Sequence, residues 1–308
     1  MAVNPAIRLL LISDIHCVGN VWPAFNRVTG DTRASEKALE TLETVMDRYF
    51  DAADYVLIAG DLTDSGKQSQ YRAVAAALGK YDAAKILAIP GNHDVANFNY
   101  LRSRKSKMKT FKRTFGAFLP PGPEPLAADD YFPYVKELDG NFALIGMDTT
   151  EGNTAKGRIG EWQLARLEAF LESDRFSAFH KIVMLHHDPL GKVKFYSGFD
   201  LPYGNILEDA DNFNRILARH AERTGGGDVT AIFGHTHSHS HQVESVGGVN
   251  HIRVPSLGGI FGEDFVYVEI SSGGSILRLE SELAPGAGDI RTRKLQSMWK
   301  TLFPDRFS

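Results

Sequence analysis

The first indication of the fold is the segment Ile7-Arg-Leu-Leu-Leu-Ile-Ser-Asp14-Ile-His16. Its first six residues are almost entirely apolar, which is typical of a strand that is covered on both faces of a sheet. An acid and a histidine follow at once, although packing gives no reason for such residues at the end of a buried strand. Because both side chains can ligate a metal ion, the stretch predicts a metal site at the end of a strand.

The same arrangement recurs along the chain. Four further polar blocks each follow an apolar run: Gly60-Asp61-Leu62-Thr63-Asp64, Gly91-Asn92-His93-Asp94, His186-His187-Asp188-Pro189 and Gly234-His235-Thr236-His237. The side chains predicted to bind metal in the five blocks are Asp14, His16, Asp61, Asn92, His186, His235 and His237. They offer nitrogen and oxygen without sulfur, a set that suits Mn, Fe, Co or Zn better than Ca. The sequence therefore predicts a catalytic centre with two divalent or trivalent metal ions.

The spacing within the blocks suggests how the ions are held. Residues i and i+2 of an extended chain lie on the same side, so Asp14 and His16 are expected to hold one ion, and His235 and His237 repeat the spacing. The carboxylate of Asp61 has two oxygens and can bridge two ions. Two ions about 3.5–4 Å apart would hold a hydroxide between them as the nucleophile and clamp an anionic phosphate.

One histidine is predicted to do proton chemistry rather than bind metal. Consecutive side chains diverge, so His93 points away from the ion that its neighbour Asn92 ligates. It is then free to protonate the leaving oxygen of a phosphate ester as a general acid. Asp64 is the candidate to orient the imidazole of His93.

These blocks resemble the pattern D-x-H, G-D-x-x-D, G-N-H-D/E, H and G-H-x-H of the calcineurin-like metallophosphoesterase superfamily, and every block between Asp14 and His237 matches. The resemblance implies an α/β fold, a four-layer α/β/β/α sandwich of two mixed β-sheets flanked by helices. It implies that one ion takes Asp14, His16, Asp61 and His237, and the other takes Asp61, Asn92, His186 and His235. His187 stays an alternative to His186; we assign His186 because it directly follows the apolar run.

The overall look is similar to bacterial cyclic-nucleotide and glycerophosphodiester phosphodiesterases, which implies a small phosphodiester as substrate. Hydrolysis of phosphomonoesters or nucleotide pyrophosphates uses the same centre and stays open, as does a DNA nuclease of the same superfamily. Purple acid phosphatases supply an additional tyrosine ligand in the second block. Here Leu62 follows Asp61, which disfavours that branch.

Composition and charge limit the domain organisation, the partners and the cellular location that can be expected. The 308 residues, of which 43% are hydrophobic and 23% charged, are typical of an ordinary folded protein. We predict one metallophosphoesterase domain over residues 1–284 with a basic helical insertion at about 97–130, then a linker and short helix over 285–308. The net charge of −4 argues against nucleic acid as a partner. The apolar runs are too short for a secretion leader or a membrane span, so the protein is expected in the cytoplasm.

Two features of the sequence have two interpretations each, and the single cysteine has one. The segment Arg102 to Arg113 has seven basic residues and no acid, so it is either a solvated helix face or a cap that attracts phosphate-bearing substrates. The apolar side chains around Trp299 serve packing or contact in a homo-oligomer. Cys17, the single cysteine, excludes an internal disulfide and is expected to be a buried bystander.

Overall fold

The structure is a computed structural model that describes residues 5–17, 34–95, 103–120, 131–151, 156–191, 207–236, 241–258 and 264–281. The strands in these ranges are β1 Ala6–Ile12, β2 Tyr55–Ile58, β3 Ile86–Ala88, β4 Tyr134–Leu138, β5 Phe142–Gly146, β6 His180–Met184, β7 Val229–Phe233, β8 Gln242–Val246, β9 Val249–Arg253, β10 Val266–Ser271 and β11 Ile276–Glu280. The helices are α1 Ala34–Tyr49, α2 Gln68–Leu78, α3 Asn92–Val95, α4 Arg104–Thr114, α5 Glu161–Leu171 and α6 Ala210–Thr224. Short 3-10 helices lie at Ala83–Lys85, Gly116–Phe118 and Asp174–Phe176.

The described strands form two sheets, and both are mixed. The first has the order β11-β10-β1-β2-β3; β1, β2 and β3 are parallel, and β10 pairs antiparallel with both β1 and β11. The second has the order β4-β5-β6-β7-β9-β8, with four parallel strands between two antiparallel edge strands. The long apolar runs of the sequence supply the central parallel strands, because such strands are buried on both faces.

The layers follow from where successive strand residues point. Leu144 and Ile145 on β5 belong to different apolar clusters, since neighbouring residues of a strand face opposite sides of the sheet. Leu144 packs in one core with side chains of the first sheet and of α1 and α2, whereas Ile145 packs with side chains of α5 and α6. The four-layer α/β/β/α sandwich of two mixed sheets implied by the resemblance is therefore confirmed.

The register brings the ends of the parallel strands to one edge. In the first sheet Ile12 pairs with Ile58 and Ile58 with Ala88, so the polar blocks after β1, β2 and β3 begin side by side. In the second sheet β5, β6 and β7 end in register in the same way. Ligands of open α/β sheets bind at the carboxyl ends of the strands, and this edge carries the predicted site.

Sequence reasoning missed β4, β8 and α6. The two strands lie at sheet edges, and β8 is exposed along its length, so it has no apolar run to reveal it. Helix α6 does carry Phe213, Ile216 and Leu217 at helical spacing, which is a signal that a sequence analysis could use.

The proposed division into a domain, an insertion and a terminal helix stays a prediction. Residues 282–308, with the segment around Trp299, lie outside the described residues, and of the insertion the structure describes 103–120. Within the ranges described here, no helix is long and apolar enough to cross a membrane.

Candidate metal centre

The loops that carry the site have an unusual backbone. Asp14, His16, Asp61 and His235 have φ angles of 52°, 48°, 52° and 68°, and they are four of the five non-glycine residues with positive φ in the described ranges. This left-handed conformation is uncommon for residues other than glycine, and such outliers concentrate at functional sites. The site loops are thus held in a conformation that local preference alone would not choose.

The expected strand alternation at Asp14 and His16 is wrong in its geometry. Strand β1 ends at Ile12, and the two residues lie in a loop whose amides donate to the carbonyl oxygens of Gly60 and Asp61 at 3.1 and 3.0 Å. The side chains nevertheless meet, because two left-handed residues turn them inward together. Nε2 of His16 lies 3.7 Å from Oδ1 of Asp14 and 3.6 Å from Oδ2 of Asp61.

The predicted ligands form two adjoining clusters that share one residue. In each cluster the candidate ligand atoms lie within 4.8 Å of one another: Asp14, His16 and Asp61 in one, and Asp61, His186 and His235 in the other. All five side chains are buried. His186 Nε2 is also 3.1 Å from Oδ1 of Asn92, so the amide joins the second cluster. His237 lies outside the described residues.

The shared carboxylate fits a pair of cations. Oδ2 of Asp61 is buried and accepts no hydrogen bond from the described residues, while Nε2 of His186 lies 3.3 Å from it and that of His16 3.6 Å. A buried carboxylate oxygen without a partner is costly unless a positive charge compensates it. Gly91 leaves room for this arrangement, since a Cβ at that position would lie 2.2 Å from Oδ1 of Asp61. The donors and the burial therefore suit two metal ions that share Asp61.

The electrostatics of the cluster favour positive charge. Burial opposes ionisation of Asp61, yet the imidazoles of His186, His93 and His16 hold its pKa well below the usual range. Burial likewise opposes protonation of His186, but the Asp61 carboxylate outweighs it and raises the pKa of His186 to about 9. Without metal, imidazolium groups supply the positive charge that cations would otherwise supply.

His93 lies on the open side of the clusters. It is only partly buried, its ring packs edge-on against that of His16 with centroids 4.6 Å apart, and its amide donates to Oδ1 of Asp61 at 2.8 Å. Its Nδ1 is 2.6 Å from the main-chain carbonyl oxygen of Asp64. Because a carbonyl oxygen only accepts, Nδ1 of His93 carries a proton in this contact.

The contact between Asp64 and His93 thus runs through the peptide backbone, whereas the sequence suggested the carboxylate. The Asp64 carboxylate is also close: its oxygen and one ring nitrogen each of His16 and His93 lie within 4.8 Å of one another. Sequence reasoning has no means of finding a main-chain contact of this kind, because any residue type could provide the carbonyl.

The two adjacent histidines of the fourth block point in different directions. His186 donates from Nδ1 to the carbonyl oxygen of Ala59 at 2.8 Å and turns Nε2 toward Asp61. His187 pairs through Nδ1 with the hydroxyl of Thr149 at 2.7 Å and joins no metal-type cluster in the described part of the chain. This geometry favours His186 as the ligand.

Two buried acids next to ligands have anchoring contacts. Asp94 accepts hydrogen bonds from the amides of Leu62, Thr63 and Gly91, which ties the loop after β2 to the loop after β3. Asp188 accepts from the guanidinium of Arg253 at 2.8 Å, and both side chains are buried. Arg253 gives no signal in the sequence, since it is one basic residue within an ordinary strand.

The basic segment is a solvated helix face only in part, and its role toward phosphate-bearing substrates stays a prediction. In α4, Lys107 and Lys112 are buried beside Met108 and Phe111, while Lys105, Lys109 and Arg113 are exposed. At the start of the helix, Arg104 bonds to Asp148 and to Thr150. The helix is thus packed onto the domain and presents a basic outer stripe.

Cys17, next to the predicted ligand His16, is buried as expected. Burial raises the pKa of its thiol to about 12, so the group stays protonated and is a poor nucleophile.

Comparison with solved structures supports the fold. The chain is similar to a dimetal phosphatase from Danio rerio, with 15% identity over 90% of this chain and 98% of that one and a TM-score of 0.57. It is similar to a purple acid phosphatase from yellow lupin (Lupinus luteus) seeds, with 15% identity over 94% of this chain and 55% of that one and a TM-score of 0.54. A third similar structure is PhoD, with 11% identity over 98% of this chain and 78% of that one and a TM-score of 0.53.

A sequence comparison with curated proteins gave no match. A sequence model of the calcineurin-like phosphoesterase family, however, matches residues 7–239, which include all five polar blocks. Members of this family are dimetal-dependent hydrolases of phosphoesters. From the match over most of its length, we conclude that the chain belongs to the calcineurin-like phosphoesterase family.

Proposed function

We propose that this phosphoester hydrolase is a phosphodiesterase that acts on small phosphodiesters, with two metal ions at the shared carboxylate and His93 as general acid. The observation that carries the proposal is the placement of His93. Its partly exposed imidazole lies beside the buried ligand clusters, with Nδ1 bound to the Asp64 carbonyl oxygen at 2.6 Å. The ring is therefore oriented through Nδ1, beside the residues that would hold the ions.

The ligands divide between the ions as follows. One ion would take Asp14, His16, Asp61 and His237, and the other Asp61, Asn92, His186 and His235. When bound, such ions supply a water of lowered pKa as the nucleophile and positive charge for the phosphate oxygens. The nitrogen and oxygen donors leave Mn, Fe, Co and Zn as candidates.

Residues of the chain itself supply the proton for the leaving group and hold its donor in place. Nδ1 of His93 stays protonated against the Asp64 carbonyl, so the imidazolium form donates its second proton from Nε2 to the leaving alcohol oxygen. The neutral ring that results keeps its Nδ1 proton and recovers the other from solvent. Asp61 holds the amide of His93 at 2.8 Å, which links the position of the acid to that of the shared ligand.

A positioned acid helps any phosphate ester whose leaving group is poor, and it contributes about 10²–10⁴-fold. The alcohols released from small biological phosphodiesters are such leaving groups. The choice of a diester over a monoester rests on the resemblance to bacterial phosphodiesterases, and the oriented acid is compatible with it.

A substrate panel tests the proposal. Bis-p-nitrophenyl phosphate, p-nitrophenyl phosphate, cyclic AMP, glycerophosphodiesters and nucleotide sugars are each assayed with Mn, Fe, Co and Zn. We expect the highest kcat/KM for a diester. A clear preference for the monoester across all metals would instead establish a phosphatase and overturn the diesterase assignment.

Two variants test the roles. His93→Ala should retain both ions and lose about 10²–10⁴ in kcat on esters with poor leaving groups. Asp61→Ala should lose metal at both positions. A matched control is His241→Ala, which removes an imidazole that contacts Ser281 instead of the site. Two tightly held ions and full activity in Asp61→Ala would refute the sharing of this carboxylate.

A further inference from the structure

The carbonyl that contacts His93 belongs to the peptide between Asp64 and Ser65, and both edges of that peptide are bound. The C=O and N–H groups of a trans peptide point in opposite directions from one rigid plane. The carbonyl oxygen of Asp64 meets Nδ1 of His93 at 2.6 Å, and the amide of Ser65 donates to Oε1 of Gln70 at 3.1 Å. Gln70 therefore determines the direction in which the carbonyl points.

Gln70 is more than a cap for its own helix. It lies in the first turn of α2, is buried, and accepts from the amide of Lys67 at 3.1 Å, as glutamine at this helix position commonly does. The same oxygen also accepts from the amide and the hydroxyl of Ser65, which precede the cap. Its Nε2 has no hydrogen-bond partner among the described residues, so the oxygen is the atom that matters.

The next peptide is held from a different helix. Nζ of Lys107, on α4, donates to the carbonyl oxygen of Ser65 at 2.8 Å, and the amide of Gly66 donates to the hydroxyl of Thr63 at 3.1 Å. Lys107 is buried, in contrast to Lys109 on the exposed side of the helix. Rotation of the peptide that contacts His93 would thus disturb bonds to α2 and to α4 together.

We propose that Gln70 and Lys107 are positioning residues for His93. By fixing two successive peptides of the loop, they aim the Asp64 carbonyl at Nδ1 and so set the tautomer and the direction of the imidazole. The inference rests on the proposed role of His93 as the acid. It also assigns a role to the basic helix α4, since Lys107 on this helix binds the loop that orients His93.

The test compares two methyl phosphodiesters, one with p-nitrophenol and one with phenol as the leaving group. Gln70→Leu and Lys107→Met should each lower kcat for the phenyl ester about tenfold more than for the p-nitrophenyl ester, since only the poorer leaving group depends strongly on the acid. KM and metal content should not change. Gln68→Leu, exposed in the same turn of α2, and Lys109→Met, exposed on α4, are matched controls.

Two further measurements separate positioning from mere support of the fold. Gln70→Glu retains the accepting oxygen and should restore the leaving-group dependence of the wild type. In the zinc-loaded protein, long-range ¹H–¹⁵N spectra should show the His93 proton on Nδ1 in the wild type and a mixture of tautomers in Gln70→Leu and Lys107→Met. If Gln70→Leu does not fold, the same two measurements on Lys107→Met test the inference.

The outcomes distinguish this inference from the function on which it rests. If His93→Ala has the leaving-group effect but Gln70→Leu and Lys107→Met slow both esters equally, or lower only the Tm, the two residues are structural and the inference is wrong. If His93→Ala itself slows both esters equally, His93 is not the acid and the proposed function fails first.

Discussion

Removal of the Asp94 carboxylate should destabilise the two loops that carry part of the candidate metal centre. Asp94 is fully buried, and its two oxygens accept from the amides of Leu62 and Thr63 at 3.2 and 2.8 Å, from the Thr63 hydroxyl at 2.8 Å and from the amide of Gly91 at 2.9 Å. Leu62 and Thr63 follow the shared ligand Asp61, and Gly91 precedes Asn92. One carboxylate thus holds together the loops that carry two of the predicted ligands.

The size of the effect follows from two opposing contributions. Asp94→Ala leaves three buried amides without their acceptor, and each such group costs about 1–3 kcal/mol. Against this, burial and the neighbouring Asp61 raise the pKa of Asp94 from 3.8 to about 6. Loss of the ionised group at neutral pH relieves this unfavourable burial and repulsion. Because three amides lose their acceptor together, the lost hydrogen bonds outweigh this relief, and we expect a net loss on the order of 3 kcal/mol in the free energy of unfolding.

The assay is urea unfolding of the metal-free protein at neutral pH. Asp82→Ala is the control, since this carboxylate caps an exposed 3-10 turn through the amide of Ala84 and should cost about 1 kcal/mol. Because the two loops separate, metal affinity should also fall by about 10–100-fold in Asp94→Ala. A free energy of unfolding no lower than that of the control, with metal affinity unchanged, would refute the anchoring role.

Three other changes have definite outcomes. Gly91→Ala places a Cβ 2.2 Å from Oδ1 of Asp61, so it should fold but lose both ions; retention of two ions by elemental analysis would contradict the close approach. Arg253→Met leaves the buried carboxylate of Asp188 without its partner and should cost about 3–5 kcal/mol in urea unfolding, and a loss as small as that of a surface change would speak against the pair. Burial lowers the pKa of His180 from 6.5 to about 4. The unfolded chain therefore binds the extra proton in this range, and stability is lost as the pH falls from about 6.5 to about 4, by up to about 3 kcal/mol. His180→Gln should remove that part of the pH dependence, and an unchanged slope would show that another group causes it.

Much of the architecture is readable from the sequence because the central strands are long apolar runs. The run at residues 7–12 predicts β1 to within one residue, and the apolar runs before the other four polar blocks correspond to β2, β3, β6 and β7. Edge strands such as β8 cannot be predicted from apolar runs, since a strand that is solvated on both faces needs no apolar pattern. Strand order cannot be predicted either: β10 and β11 come last among the described strands, yet β10 lies beside β1.

The candidate site, like the fold, can be predicted from the sequence only in part. The types of its residues are visible in sequence, because acids, imidazoles and an amide after buried strands have few structural explanations. The geometry of these residues is not visible in the sequence. Strand alternation correctly predicted that the side chains of Asp14 and His16 meet, but they meet because both residues have a left-handed backbone conformation. The Asp64 carbonyl and the buried Arg253 have no sequence signal, since a carbonyl belongs to every residue and a single arginine fits any strand.

The chemical character of the candidate site can be predicted from the amino-acid sequence, because donor types and their order along the chain depend only on which residues are present. Which of these groups meet depends on how the two sheets and their loops pack. Hydrogen bonds between loops of the two sheets, such as that from the His235 amide to Asp14, bring residues more than two hundred positions apart into one cluster. The same packing points His186 toward the shared carboxylate and His187 toward Thr149. Adjacent residues can have different roles because direction in space is set by the packed elements around them.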